Sequence, residues 1–171
     1  MVVITGSNLA WCHPVLFQRL KAAKQARPEL FIVVVDPRKT DTCDIADLHL
    51  PIQPGADVAL FNGLLAYLAE HKKTDPTYIA SYTEGFEQAL RSAIQESANR
   101  DEFIKRIGIS KSQLQRFYQT FADTEKVLTI YSQGVNQSSQ GTDKVNSIAN
   151  CHFATGRIGK EGMGPFSVTG Q

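Results

Sequence analysis

Four short segments carry the polar residues that could bind a ligand, and each follows an apolar run of the chain. They are Gly-Ser-Asn at residues 6–8, Asp-Pro-Arg-Lys-Thr at 36–40, Pro-Gly-Ala-Asp at 54–57 and Gln-Gly-Val-Asn-Gln at 133–137. Backbone N–H groups beside glycine and basic side chains suit phosphate, while carboxylates and amides suit ribose hydroxyls and base edges. Together the four segments predict an elongated ligand of nucleotide type.

The first segment, Gly6, Ser7 and Asn8, directly follows the apolar residues 2–4. Glycine lets the backbone approach a phosphate closely, and the Asn8 amide suits a polar edge of the ligand. A structural turn is an equally good interpretation of this segment when it is taken alone.

The second segment begins with Asp36, at the tip of a β-branched run, where nucleotide-binding folds bond ribose hydroxyls. Arg38 and Thr40 follow at once and suit phosphate. The alternative is a solvated turn, because Asp-Pro commonly begins one.

The third and fourth segments add a carboxylate and neutral amides. Asp57, after Gly55, is favoured by the helix dipole in a first helical turn, or it faces the two donors of a guanine edge. Gln133 and Gln137, which flank Gly134, can both donate and accept hydrogen bonds.

Hydrophobic patterns around these segments predict an α/β fold. Residues 2–4 and 30–35 read as buried parallel strands, joined by a helix that begins at Pro14 and carries Val15, Leu16, Leu20 and Ala23 on its apolar stripe. Residues 48–52 read as an edge strand because of Pro51, and an apolar helix follows and ends near residue 71. This first half is therefore two crossover units of a parallel sheet.

The second half predicts a helical insertion followed by a return to the sheet. Residues 75–122 are wholly helical in pattern, residues 127–131 read as a strand, and a last helix spans about residues 143–155. Residues 159–171 read as a loop with no terminating element. The prediction is one Rossmann-like domain over residues 1–171, with a parallel sheet in the order 3-2-1-4 flanked by helices.

Composition limits the partners and the compartment. The 171 residues carry a net charge of +1, which gives no electrostatic reason to expect nucleic acid or a membrane as partner. Cys12, Cys43 and Cys151 have no metal-ligand spacing, so we expect no metal site, no disulfide framework and a reducing cytoplasm. We interpret Cys12 as an ordinary thiol at the start of a helix and His152 as a core or interdomain residue. For His13 we expect helix capping or packing first, and a contact with phosphate second.

Five sequence motifs together resemble the molybdopterin oxidoreductase family, and within it the bacterial assimilatory nitrate reductases. The motifs are GSNLAWCHP, DPR-x-T with Ala46-Asp47, PGADVAL, QGVNQSSQGTDKVN and ATGRIGKEGMGPFSVTGQ. The resemblance implies a cofactor of molybdenum bis(molybdopterin guanine dinucleotide), with the first segment at pyrophosphate or guanosine, the second at ribose and phosphate, the third at guanine and the fourth near the pterin. It assigns no catalytic and no metal-ligating residue to this chain.

The resemblance also implies what lies outside this chain. A 4Fe-4S cluster, the molybdenum ligand and a carboxyl-terminal domain belong to the full-length enzyme, so we expect an internal fragment that is inactive alone. Its partners would be the remaining domains of the same polypeptide and an electron-donor protein or subunit. Formate dehydrogenase is the alternative within the family. Outside it, an NAD-binding domain of a dehydrogenase is disfavoured because residues 5–11 supply one glycine instead of three, and a helical interaction module would rest on residues 75–122.

Overall fold

A sheet of five parallel strands lies at the centre of the computed structural model, which describes residues 1–168. The strands are β1 (Val2–Thr5), β2 (Ile32–Val35), β3 (Leu48–Leu50), β4 (Leu128–Tyr131) and β5 (Gly164–Ser167), in the order β3-β2-β1-β4-β5. The α/β class and the order 3-2-1-4 of the first four strands are confirmed. Thr169, Gly170 and Gln171, which complete the last sequence motif, lie outside the described residues.

The fifth strand corrects the expectation that residues 159–171 form a loop without a terminating element. β5 pairs in parallel with β4 and places Pro165 opposite Thr129. Proline lacks an N–H group and is tolerated where only one side of a strand is paired, as at this edge of the sheet. The glycines and the proline of this segment are typical of a loop, and for that reason the sequence pattern did not predict the edge strand.

Helices surround the sheet, and four of the five helices between β3 and β4 lie in the segment predicted as a helical insertion. Their bounds are α1 (Leu9–Cys12), α2 (Pro14–Ala26), α3 (Asp57–Glu70), α4 (Pro76–Tyr82), α5 (Phe86–Ser97), α6 (Arg100–Ile107), α7 (Lys111–Asp123), α8 (Gln133–Asn136) and α9 (Gly141–Ala154). Side chains define two of the starts: Asp75 Oδ1 accepts from Tyr78 N at 2.9 Å, and Ser110 with Gln113 forms a capping box. None of the helices within residues 1–168 has both the length and the apolarity of a membrane span.

The two faces of the sheet are covered unequally. Val3, Val33 and Val35 point into the larger core with α3, because alternate strand residues share a face. The opposite face packs against α2, which buries no residue completely, and Val15 is 71% exposed. The prediction that Val15 belongs to the apolar stripe of this helix is therefore wrong, while Leu16, Leu20 and their neighbour Phe17 are partly buried against the sheet.

His152 and Arg157 occupy buried positions near the end of α9. His152 Nε2 lies 2.8 Å from Thr129 Oγ1, and burial, with the nearby Arg157 cation, lowers the pKa of His152 to about 3.

Arg157 donates hydrogen bonds to three backbone carbonyls, those of Phe121 at 2.9 Å, Thr124 at 2.6 Å and Glu125 at 3.2 Å. His152 is thus a neutral core residue, and Arg157 caps the carboxyl end of α7.

Candidate functional site

The four predicted ligand segments lie at one edge of the sheet, because every strand runs in the same direction. We call them the first loop (residues 6–8, after β1), the second loop (36–40, after β2), the third loop (54–57, after β3) and the fourth loop (133–137, after β4). Ligands of open parallel sheets bind at this carboxyl edge. Hydrogen bonds, a close backbone contact and an ion pair connect each loop to the next.

The first and fourth loops meet through two glycines. Gly134 N donates to Gly6 O at 2.9 Å, and a Cβ atom built on Gly134 would lie 2.8 Å from Gly6 Cα. Gly6 has φ +55°, and a Cβ atom on it would lie 2.8 Å from Val135 N. Only glycine permits this approach. The fourth loop is mainly helical, since residues 133–136 form the single turn α8.

The first and second loops are joined by Asn8. Its Oδ1 atom accepts from Thr42 Oγ1 at 3.2 Å, and the same Thr42 oxygen accepts from Ala10 N at 3.1 Å. Thr42 lies in a 3₁₀ turn, Asp41–Ile45, directly after the second loop. The side-chain oxygen of Asn8 therefore has a protein partner. The side-chain nitrogen, Nδ2, is the group that Asn8 can offer to a ligand.

The second loop is shaped by Asp36, which is 7% exposed. Asp36 Oδ1 accepts from Arg38 N at 2.8 Å, so one carboxylate oxygen forms the turn while the Arg38 side chain is exposed. Asp36 N donates to Leu50 O at 3.2 Å, and His49 Nε2 lies 2.9 Å from Asp36 O. These bonds connect the second loop to the end of β3, from which the third loop begins.

The third and fourth loops are connected by a buried ion pair. Asp57 Oδ2 lies 2.7 Å from Lys144 Nζ, and the two side chains are only 10% and 7% exposed. Asp57 starts α3, and Lys144 lies in the first turn of α9, which follows the fourth loop. The carboxylate predicted to face guanine therefore holds a cation in the structure. Sequence reasoning missed Lys144, because ion pairs between distant segments leave no local pattern.

Several buried polar atoms at this edge have no partner within residues 1–168. They include Thr5 Oγ1 and Ser7 Oγ, on residues 0% and 3% exposed, together with Thr40 Oγ1 and both ring nitrogens of His13. The backbone N–H groups of Ser7 and Asn8 also find no acceptor there. A buried polar group without a partner costs about 1–3 kcal/mol, so this set fits an additional polar ligand. Among the described residues the His13 side chain makes no capping hydrogen bond, so capping, one of the two predicted roles of His13 beside packing, is wrong.

The remaining predicted residues are more exposed. Gly55 has φ +86° and open space around it, Gln133 is half-buried, and Gln137 is exposed. A cleft of about 300 Å³ lies beside the third loop, and its walls include the ion-paired side chains of Glu96 and Arg106. Helices α5 and α6 of the insertion thus contribute side chains beside the third loop, a contribution that sequence reasoning did not identify.

Within residues 1–168, no three His, Cys, Asp or Glu side chains group in a way that could hold a metal ion. Cys12 is exposed, whereas Cys43 and Cys151 are buried, and burial raises the pKa of both buried thiols. The polar groups that line the four-loop edge offer hydrogen bonds and charge, which suit the binding of a phosphate-bearing ligand.

Comparisons with known proteins show the family. A family model described as Molybdopterin oxidoreductase matches residues 1–169. The chain is 52% identical to a nitrate reductase of Shewanella frigidimarina, over 100% of this chain and 18% of that protein. It is 34% identical to the F420-dependent formate dehydrogenase subunit alpha of Methanocaldococcus jannaschii, over 99% of this chain and 25% of that protein.

A solved structure shares the fold. Acetylene hydratase from Pelobacter acetylenicus superposes with a TM-score of 0.82 at 20% identity, over 94% of this chain and 22% of that one. The chain spans about a fifth of the length of the curated relatives it matches.

Proposed function

Because the chain belongs to the molybdopterin oxidoreductase family, we propose that it holds one guanine dinucleotide end of a molybdenum–pterin cofactor within a larger nitrate reductase. The observation that carries the proposal is the four-loop edge. There Gly6 and Gly134 bring two loops into backbone contact, and the Thr5 and Ser7 hydroxyls are buried without partners among residues 1–168. These donors and the close approach of the backbone suit a diphosphate.

In this proposal each loop binds a different part of the dinucleotide. The backbone N–H groups of Ser7 and Asn8 and the Ser7 hydroxyl bind phosphate. The side chains of Arg38 and Thr40 bind the same phosphate-bearing part of the dinucleotide. Asp36 uses its second carboxylate oxygen for a ribose hydroxyl.

The third and fourth loops take the two ends of the ligand. Asp57, beside Gly55, faces guanine, and Gln133 and Gln137, on either side of Gly134, lie toward the pterin. When bound, the cofactor supplies the two-electron chemistry that converts nitrate to nitrite. The share of this chain is to bind and orient the cofactor.

Nitrate as the substrate is supported by the 52% identity to a nitrate reductase. Formate is the second candidate, because a formate dehydrogenase subunit is 34% identical over nearly the whole chain. In both cases we propose that the segments of the enzyme outside this chain supply the substrate contacts, a 4Fe-4S cluster and the contact with an electron donor. We propose a cytoplasmic enzyme, which the free thiols of the described residues suit. We also propose an assimilatory role, since the chain is 30% identical to an assimilatory nitrate reductase catalytic subunit of Bacillus subtilis.

Isothermal titration calorimetry with GDP and NADH tests the proposal. We expect GDP to bind the chain and NADH not to bind, and we expect Ser7→Ala to weaken GDP binding about tenfold, since one hydrogen bond to a charged group is lost. Lys73→Met, beyond the carboxyl end of α3, serves as the control and should leave binding unchanged. Micromolar binding of NADH without binding of GDP would overturn the proposal in favour of a dehydrogenase domain.

A second measurement concerns activity. The chain alone, mixed with nitrate and a chemical electron donor such as reduced methyl viologen, should produce no nitrite above the protein-free background. Nitrite formation by this chain would contradict the proposal that it only binds the cofactor while the rest of the enzyme supplies the substrate contacts and the 4Fe-4S cluster.

A further inference from the structure

We infer that Lys144 is a positioning residue for base recognition: it fixes the Asp57 carboxylate so that this carboxylate can accept the two N–H donors of a guanine edge. The inference rests on the proposed function, and it adds to it a side chain that no predicted loop contains. It also assigns the base specificity of the site to a pair of residues rather than to Asp57 alone.

The geometry of the pair is the first support. Lys144 Nζ lies 2.7 Å from Asp57 Oδ2, and both side chains are about nine-tenths buried. A buried charge is costly unless an opposite charge and hydrogen bonds compensate it. Each of the two side chains therefore restricts the other, and the carboxylate has little freedom to rotate.

Helix electrostatics do not explain the position of Lys144. The first turn of a helix carries a partial positive charge, which favours Asp57 at the start of α3 but opposes a cation in the first turn of α9. Two apolar side chains of similar volume would fill the same space with equal or better stability in many proteins. The lysine is therefore best explained by what it does to the carboxylate.

The chemistry of the carboxylate leaves room for a base. Its two oxygens offer about four acceptor positions, and the Lys144 ammonium group lies at ion-pair distance from Oδ2. Guanine presents the N1–H and N2–H donors side by side, which match two carboxylate oxygens. Hypoxanthine lacks the N2 amine, and adenine presents an acceptor at N1. The pair therefore predicts the order guanine, then hypoxanthine, then adenine.

Lys144 also supplies the countercharge that this arrangement needs. When a base covers the carboxylate, water leaves it, and an unpaired buried carboxylate would resist that step. With the ammonium group already in contact, the pair is neutral before the base arrives. Lys144 follows the fourth loop and Asp57 closes the third loop, so base recognition also depends on how these loops are held together.

Titrations of the chain with GDP, IDP and ADP test the inference. We expect the wild-type chain to prefer GDP over IDP by about tenfold, the value of one hydrogen bond to a charged acceptor. Lys144→Met should weaken GDP binding about tenfold and remove the preference over IDP, because the carboxylate is then free to turn away. Lys144→Gln, which keeps an N–H donor for Asp57 and is less disruptive to folding, should restore part of the preference.

The control is Lys73→Met, which breaks the exposed Lys73–Asp123 pair beyond the other end of α3 and should change neither affinity nor preference. If Lys144→Met and Lys144→Gln both keep the wild-type preference for GDP, the inference is overturned while the proposed function stands. If the wild-type chain binds all three nucleotides equally, Asp57 does not read the base and the inference also falls. If none of them binds, the proposed function fails as well.

Discussion

The contact between the first and fourth loops makes Gly6→Ala the most informative single substitution. Alanine at this position must adopt φ +55°, and its Cβ atom would lie 2.8 Å from the backbone nitrogen of Val135. The left-handed conformation costs an L residue about 1–2 kcal/mol. Overlap with packed atoms that cannot move away adds about 1–3 kcal/mol, so we expect a total loss of about 2–5 kcal/mol in the free energy of unfolding.

Two other glycines separate these contributions. Gly55 has φ +86°, and no atom of the described residues lies within 4 Å of a Cβ placed there, so Gly55→Ala should lose only the conformational part, about 1–2 kcal/mol. Gly134 lies outside the left-handed region, but a Cβ there would meet Gly6 Cα and O at 2.8 Å, so Gly134→Ala should lose only the steric part, about 1–3 kcal/mol.

Urea unfolding followed by far-ultraviolet circular dichroism measures the three variants on one scale. The double variant Gly6→Ala with Gly134→Ala should lose less than the two single losses added together, because both substitutions open the same backbone contact. Equal losses for Gly6→Ala and Gly55→Ala would refute the reasoning, since the contact between the loops would then contribute nothing.

Three further predictions concern buried charged or titratable side chains. Lys144→Met should lower the free energy of unfolding by about 3–5 kcal/mol, because it leaves a buried carboxylate unpaired, whereas Lys73→Met at an exposed pair should cost about 1 kcal/mol or less in the same urea experiment. The folded pKa of His152, about 3, lies below its unfolded value of about 6.5. Its neutral form is therefore fully stabilising above pH 6.5, and stability falls toward pH 3 by up to about 1.4 kcal/mol per pH unit. His152→Gln should flatten that slope in a pH series of urea titrations, and an unchanged slope would contradict the buried neutral state. Arg157→Met should cost about 2–4 kcal/mol through three carbonyls left without donors at the end of α7, and an equal thermal shift for the exposed Arg19→Met control would argue against this capping role.

Much of the fold could be predicted because its strongest signals are local. The β-branched run at β2 and the apolar spacing in α3 identify their elements without knowledge of any partner. Pro51 correctly indicated that β3 lies at an edge of the sheet. The two short helices α1 and α8 were missed because one turn is too short to show a helical period.

The parts that could not be predicted depend on contacts across the fold. β5 is a strand because β4 pairs with it, and nothing in Gly164 or Pro165 indicates this. Val15 fits a helical stripe by spacing, but in the folded chain it is 71% exposed, because spacing alone does not show which side of the helix meets the sheet. At the site, the positions of the loops followed from the parallel topology, whereas the Asp57–Lys144 pair required knowledge of which helices lie side by side.

The central position of β1 has a consequence for how the chain is made. β1 pairs on one side with β2, which follows it closely, and on the other with β4, whose residues come more than a hundred positions later. Ribosomes add about 5–20 residues per second, so roughly 5–20 s separate the synthesis of these two neighbours. During that interval the second side of β1 carries open N–H and C=O groups, which can pair with a wrong strand. The arrival of β4 at the ribosome exit therefore determines when the sheet of a newly made chain can close.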